Sequence, residues 1–250
     1  MQNLKIAVAQ IPSLKGDVSA NIKSHLLAIE KAAKAGVSYL VFPELSLTGY
    51  ELELASELAF TIDDKRLLPL IESAIKYAIC IAVGVPLFVN NAIHIAVIII
   101  SDLGDVNSYS KMHLHAGEET FIVEGTSHYL TKVQSSHGEL NIANAICADI
   151  IHPIHAQTCY ELGANIYMAG VLIGQRGYAA DVRFLEGYSR DFNMLITMAN
   201  HNQPTGAWLP IGKSAIWFAG KLLACANETE DALVVAEKRS RHWVGYVVEL

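Results

Sequence analysis

Tyr39-Leu40-Val41-Phe42-Pro43-Glu44 is a short apolar run, rich in aromatic and β-branched residues, that a proline breaks. That composition marks a buried strand ending in a loop. Just upstream, Ile22, Leu26, Ile29 and Ala33 recur at four-three-four spacing and Gly36 follows them, the pattern of a helix with one apolar stripe and a glycine stop. Further back, residues 5–9 (Lys-Ile-Ala-Val-Ala) read as a first buried strand, separated from the helix by the turn signals Pro12 and Gly16. Strand, helix and strand form a β-α-β unit with a right-handed crossover. It delivers Glu44 to a loop at the carboxyl end of a parallel strand, where α/β sheets place their ligands.

The same grammar continues downstream. A helix is expected over 65–77, a strand over 80–85, and a hairpin pairing 95–100 with 106–109 through Asp102-Leu103-Gly104. In the second half a strand over 142–146 leads directly to Cys147. Pro153 opens a helix that stops near Gly163, 166–169 is the next strand, and a helix runs from about 178 to 192. Strands near 195–199, 214–218, 222–226 and 232–236 complete the chain. Strands alternating with helices and hairpins give an α/β fold with mixed sheets and helical cover. No repeat or linker-like run interrupts the periodicity, so residues 1–250 read as a single domain.

Of the 250 residues, 52% are hydrophobic and 17% charged, which excludes a disordered chain. A net charge of -7 leaves no basic footprint, so nucleic acid and anionic membrane are not expected partners and a small molecule is. The start, Met1-Gln2-Asn3-Leu4-Lys5, lacks the zones of a signal peptide, and no apolar run approaches the ~18 residues of a spanning helix. The expectation is a cytoplasmic protein whose four cysteines, Cys80, Cys147, Cys159 and Cys225, stay reduced.

Three reactive side chains fall just beyond expected strands: Glu44, Lys111 in Tyr109-Ser110-Lys111-Met112-His113-Leu114, and Cys147 in Ala145-Ile146-Cys147-Ala148-Asp149. Singly, each has a structural explanation as a solvated carboxylate, a surface lysine or a buried thiol. Together, and in this order, they resemble the nitrilase superfamily of carbon-nitrogen hydrolases, whose catalytic set is a glutamate, a lysine and a cysteine. The similarity includes Gly49-Tyr50 after the glutamate block, then Ala199-Asn200, Gly212, Ser214, Ile216 and Gly220, and so spans nearly the whole chain. It implies an α-β-β-α four-layer sandwich with the active site at the strand ends. It also implies a fourth site residue seven positions after the lysine, which is Glu118, with its neighbour Glu119 as the alternative if the loop is shifted by one.

The chemistry asks for these residue types independently. A thiol near pKa 8.5 needs a base or a cation to supply thiolate, roles open to Glu44 and Lys111. Attack on an amide carbonyl creates an oxyanion, for which the Lys111 ammonium and the backbone N–H of Ala148 are the available donors. Glu44 can then protonate the leaving amine and later activate water against the thioester. No cofactor is expected and no metal, since His113 with His115, or His152 with His155, lacks a metalloenzyme signature. Arg176 and Arg183 are expected to be solvated, although either could receive a substrate carboxylate. Cys147-Ala148-Asp149 departs from the Cys-Trp-Glu usual in nitrile hydrolases, which disfavours a nitrile substrate. The expected function is cleavage of a non-peptide carbon-nitrogen bond in a small amide. Acyl transfer to an amine and a non-catalytic binding protein on the same fold are the alternatives. The resemblance further implies a homodimer or higher homo-oligomer.

Overall fold

The computed structural model describes residues 3–135, 138–240 and 242–250; Met1 and Gln2, which open the start read above, lie outside them. The β-α-β unit is present as β1 (Lys5–Gln10), α1 (Val18–Lys34) and β2 (Tyr39–Val41), with β1 and β2 parallel. Asp17 caps α1 by accepting from the Ala20 N–H at 3.0 Å, and Gly36, at φ 78°, ends it. The buried face of α1 contains Asn21 and His25 between Val18, Ile22, Ala28, Ile29 and Ala32. These two polar residues have a purpose. Asn21 donates to the carbonyls of Leu14 and Leu47, and His25 Nε2 meets Ser46 Oγ at 2.9 Å, so the helix pins the loop that follows β2.

The short helix α2 (Ala55–Leu58) and the helix α3 (Leu68–Tyr77) follow, the latter covering the same sheet face as α1. Next come β3 (Cys80–Val89), β4 (Ala92–Ile100) and β5 (Val106–Ser110), with β4 antiparallel to both its neighbours. After β6 (Leu130–Ser135) and β7 (Gly138–Ile146), α4 (Pro153–Glu161), β8 (Ile166–Val171), α5 (Gln175–Asp191) and β9 (Leu195–Asn200) build a second parallel core. The chain closes with β10 (Ala215–Phe218), β11 (Lys221–Cys225), β12 (Ala232–Arg239) and β13 (His242–Glu249).

Two sheets result, in the orders β13-β12-β1-β2-β3-β4-β5 and β11-β10-β9-β8-β7-β6. Strand alternation sends Ile6, Val8, Tyr39 and Val41 of the first and Ile142, Ile146, Ile166 and Met168 of the second into one shared core. The opposite faces pack on helices: Ala7, Leu40 and Ile81 against α1 and α3, Ala143, Tyr167 and Ile196 against α4 and α5. This is the expected α-β-β-α sandwich with mixed sheets. Among the described residues no helix is long and apolar enough to cross a membrane.

Several strands differ from the sequence reading, and β4, β7 and β12 are longer than expected. β3 runs on through Pro86 to Val89 and turns into β4 at Asn90-Asn91, both left-handed with φ 52° and 60°, the turn that suits a two-residue hairpin. β6 and β13 are additional strands. Both are edge strands, where one side lacks a partner and the apolar alternation that signals burial is weak.

Candidate active site

Glu44 follows β2 on a loop held from three sides. Phe42 N–H donates to Ala82 O at 2.9 Å, Leu47 N–H to Gly84 O at 3.0 Å, and His201 Nε2 to the Glu44 carbonyl at 2.7 Å. Gly84 and Gly170 approach the loop so closely that a Cβ on either would stand 2.5 Å from Pro43 O or 2.6 Å from Phe42 O. Their role is therefore close backbone approach. Lys111 stands just after β5, anchored by its N–H to Ile95 O at 2.8 Å, and its side chain is wholly buried.

The Lys111 ammonium donates to Glu44 Oε1 and to Glu118 Oε1, both at 2.7 Å. Glu118 opens a turn behind Gly117, whose φ of 98° suits glycine. Its Oε1 also accepts from the Tyr50 hydroxyl at 2.6 Å and its Oε2 from His115 N–H at 2.8 Å. Glu119 is exposed and accepts only from Gly117 N–H. The loop thus brings Glu118, without a shift, to Lys111. Among the described residues, Glu44 Oε2 has no hydrogen-bond partner.

Cys147 stands at the end of β7 in the left-handed region, φ 42°, and its Sγ lies 3.7 Å from Leu172 O. Such a conformation costs a non-glycine residue about 1 kcal/mol or more and persists where the surroundings impose it. Asp149 imposes it here. One of its oxygens accepts from Tyr109 OH at 2.7 Å and Ile146 N–H at 3.0 Å, the other from the N–H groups of Met112 and His113 and from His113 Nδ1. A single buried carboxylate thereby ties the cysteine turn to the lysine loop. Burial would raise it, but these donors, His113 foremost, hold it below the ordinary carboxylate range. Asn200 adds a second brace, bonding both the N–H and the carbonyl of Ile173 so that the segment facing Cys147 is fixed.

Glu44, Tyr50, Cys147, Ala148, Arg176 and Trp208 line one cavity of about 560 Å³. Ala148 is in the first turn of the 3₁₀ segment Cys147–Ile151, where an N–H has no intrahelical acceptor. Arg176 is an exposed residue of the rim, and Arg183 is exposed and outside the cavity lining. A larger hollow of about 740 Å³, beside Tyr160, Phe192 and Trp243, contains none of the candidate residues.

Burial raises Glu44 to about 7; Lys111 pulls it down and Glu118 pushes it up. For Lys111, burial works against the charge, yet Glu44, Cys147 and Glu118 outweigh it and keep the ammonium protonated. Burial and the Glu44 charge push the Cys147 thiol well above its ordinary value, with Lys111 opposing. The resting site thus pairs a protonated thiol with a carboxylate able to take its proton near neutrality. Tyr50 and Asp149 were quoted in the sequence blocks without a role, and His201 was not singled out. Their spacing along the chain gives no hint of these bonds, which exist only once the two sheets meet.

The chain belongs to the carbon-nitrogen hydrolase family, which it matches over residues 5–242. Its fold is that of solved amidases of the nitrilase superfamily. The amidase from Nesterenkonia sp. AN1, in a form carrying the acetamide moiety of fluoroacetamide on its active-site cysteine, superposes with a TM-score of 0.86 at 19% identity, over 95% of this chain and 91% of that one. A butyramide complex of the same amidase gives 0.84 at 20% identity over 95% and 91%. A nitrilase of Pyrococcus abyssi is 26% identical over 94% of this chain and 89% of its own length. A glutamine-dependent NAD(+) synthetase of Thermotoga maritima is 24% identical over 67% of this chain, a match that spans only 29% of the synthetase.

Proposed function

We propose that this protein hydrolyses a small amide through a thioester on Cys147. The observation that carries the reading is the buried Glu44–Lys111–Glu118 cluster, whose Glu44 lines one cavity together with Cys147. As Cys147 Sγ attacks the carbonyl carbon, its proton passes to Glu44 Oε2, the carboxylate oxygen with no other partner. The carbonyl oxygen gains charge beside the Lys111 ammonium and the Ala148 N–H. Glu44 returns the proton to the amine as the C–N bond breaks, then takes one from water as hydroxide opens the thioester to the acid. Glu118 fixes Lys111 and, through its charge, sets the proton affinity of Glu44. A relative that forms a covalent amide adduct at its active-site cysteine supports the same use of Cys147.

The test is alkylation by iodoacetamide in the native protein, mapped by mass. Cys147 is expected to react first, and Glu44→Gln to slow that reaction at least tenfold. Labelling of Cys80, Cys159 or Cys225 ahead of Cys147 would refute the nucleophile, and unchanged labelling in Glu44→Gln would refute the base. Ammonia release from a panel of small amides, with Cys147→Ala as control, then identifies the substrate.

We further propose a homo-oligomer in a reducing, cytoplasmic setting. All four cysteines are free thiols, and α4 with its flanks leaves Ile151, Ile154, Tyr160 and Leu162 exposed. Light scattering at micromolar concentration should return at least twice the chain mass of 27.2 kDa, and a monomer mass would refute the oligomer.

A further inference from the structure

His155 and Cys159 stand four residues apart on α4, hence on one face of the helix, and both are buried. The segment before β6 brings His128 over them. His128 Nδ1 lies 3.5 Å from Cys159 Sγ, His155 Nδ1 lies 4.0 Å from the same sulfur, and the three ligand atoms all fall within 4.8 Å of one another. His128 is only half-buried, so the group is reached from solvent.

The hydrogen-bond chain behind His155 fixes its tautomer. Tyr109 has one hydroxyl proton and gives it to Asp149 Oδ2, so at 2.8 Å from His155 Nε2 it must accept. Nε2 therefore carries the hydrogen and Nδ1 the lone pair, which points to Cys159 and to the Tyr167 hydroxyl at 2.9 Å. An imidazole held in one tautomer by a carboxylate-backed donor chain is the usual support of a metal-binding histidine.

We propose that His128, His155 and Cys159 form a binding site for a thiophilic divalent cation of the zinc type. Two imidazole nitrogens and one sulfur suit zinc or its neighbours and not magnesium or calcium. Tetrahedral zinc, with bonds of about 2.0–2.1 Å to nitrogen and about 2.3 Å to sulfur, holds N and S roughly 3.5 Å apart. The His128–Cys159 pair already has that separation, and His155 must close on both partners, from 4.0 Å to the sulfur and from within 4.8 Å of His128. Water or the Tyr167 hydroxyl completes the fourth position. Binding replaces the Cys159 S–H bond by an S–metal bond and releases one proton to solvent.

The sequence reading weighed other pairs, His113 with His115 and His152 with His155. His113 is engaged by Asp149 and stacks on His152 at 4.1 Å, while His128, the missing ligand, comes from a distant stretch. The site lies behind the cavity, joined through His155, Tyr109 and Asp149 to the N–H of Ile146 beside Cys147.

Cobalt(II) titration of the Cys147→Ala protein, followed by absorption, tests the site without the cavity thiol. One equivalent should bind with a thiolate-to-cobalt charge-transfer band. The band should vanish in Cys147→Ala/Cys159→Ser, and affinity should fall at least tenfold in Cys147→Ala/His128→Ala. Absence of the band, its survival in the Cys159→Ser variant, or unchanged affinity in the His128→Ala variant would each overturn the site. Should Cys159→Ser fail to fold, the half-buried His128 decides the question alone.

Discussion

Glu44 binds Lys111 with one carboxylate oxygen and nothing with the other. Because burial raises it from 4.5 to about 7, the carboxylate that must accept the thiol proton is half protonated near neutrality. On the proposed mechanism kcat/KM therefore falls as pH drops through about 7, and the limb reports the Glu44–Lys111–Glu118 cluster as a unit. Glu118→Gln removes a neighbouring negative charge, so its acid limb should move to lower pH. Turnover should fall more than tenfold, or more than ~1.4 kcal/mol of barrier, while Cys147 still takes a covalent adduct. Steady-state pH profiles of the two proteins check this; coincident profiles would remove Glu118 from the site. The sign for stability is the reverse. The native state keeps the Glu44 proton to about pH 7 while the unfolded chain loses it near 4.5. This group's contribution is thus full below 4.5 and lost as pH rises through 7. Glu44, Lys111, Cys147 and Glu118 were legible because local motifs carry them. Tyr50, Asp149 and His201 were not, since each works through a bond to a residue far along the chain.

Among the elements, strands buried along most of their length were easiest to read: β1, β2, β8 and β9 are largely apolar, as is the buried second half of β7. The β3–β4 hairpin was not read from the sequence, where the expected strand stops at residue 85, just before Pro86. Pro86 has no N–H to place in the ladder, and in β3 its carbonyl instead receives Phe60 N–H at 2.8 Å. The helix α1 was found with its stripe slightly misplaced, because the buried Asn21 and His25 do not look like core residues in sequence. At this scale the clearest prediction concerns the end of β8. Gly170→Ala would set a methyl 2.6 Å from Phe42 O, and backbone cannot yield as a side-chain tip can. Displacing that loop should cost about 1–3 kcal/mol of stability, read as a lower urea midpoint, and should lower turnover more than binding of a substrate amide. An unchanged midpoint and unchanged kcat would mean that the loop tolerates the shift.

Across the whole molecule, Glu44 and Lys111 leave the ends of β2 and β5 in the first sheet, while Cys147 leaves the end of β7 in the second. The shared core, the bonds that Asp149 accepts from Tyr109, Met112 and His113, and the His201 bond to the Glu44 carbonyl set one sheet against the other at this end. In rising urea, amidase activity should therefore disappear at a lower concentration than far-UV ellipticity does, because slight loosening between the sheets separates base from nucleophile before any strand melts. Coincident transitions would show the two sheets to be a single rigid unit. If the transitions part, the side chains between the sheets acquire a second trade. Val41 and Met168, which meet no substrate, become the shims that set the gap across which a proton must jump, and a methylene added there retunes the enzyme as directly as a change in its pocket.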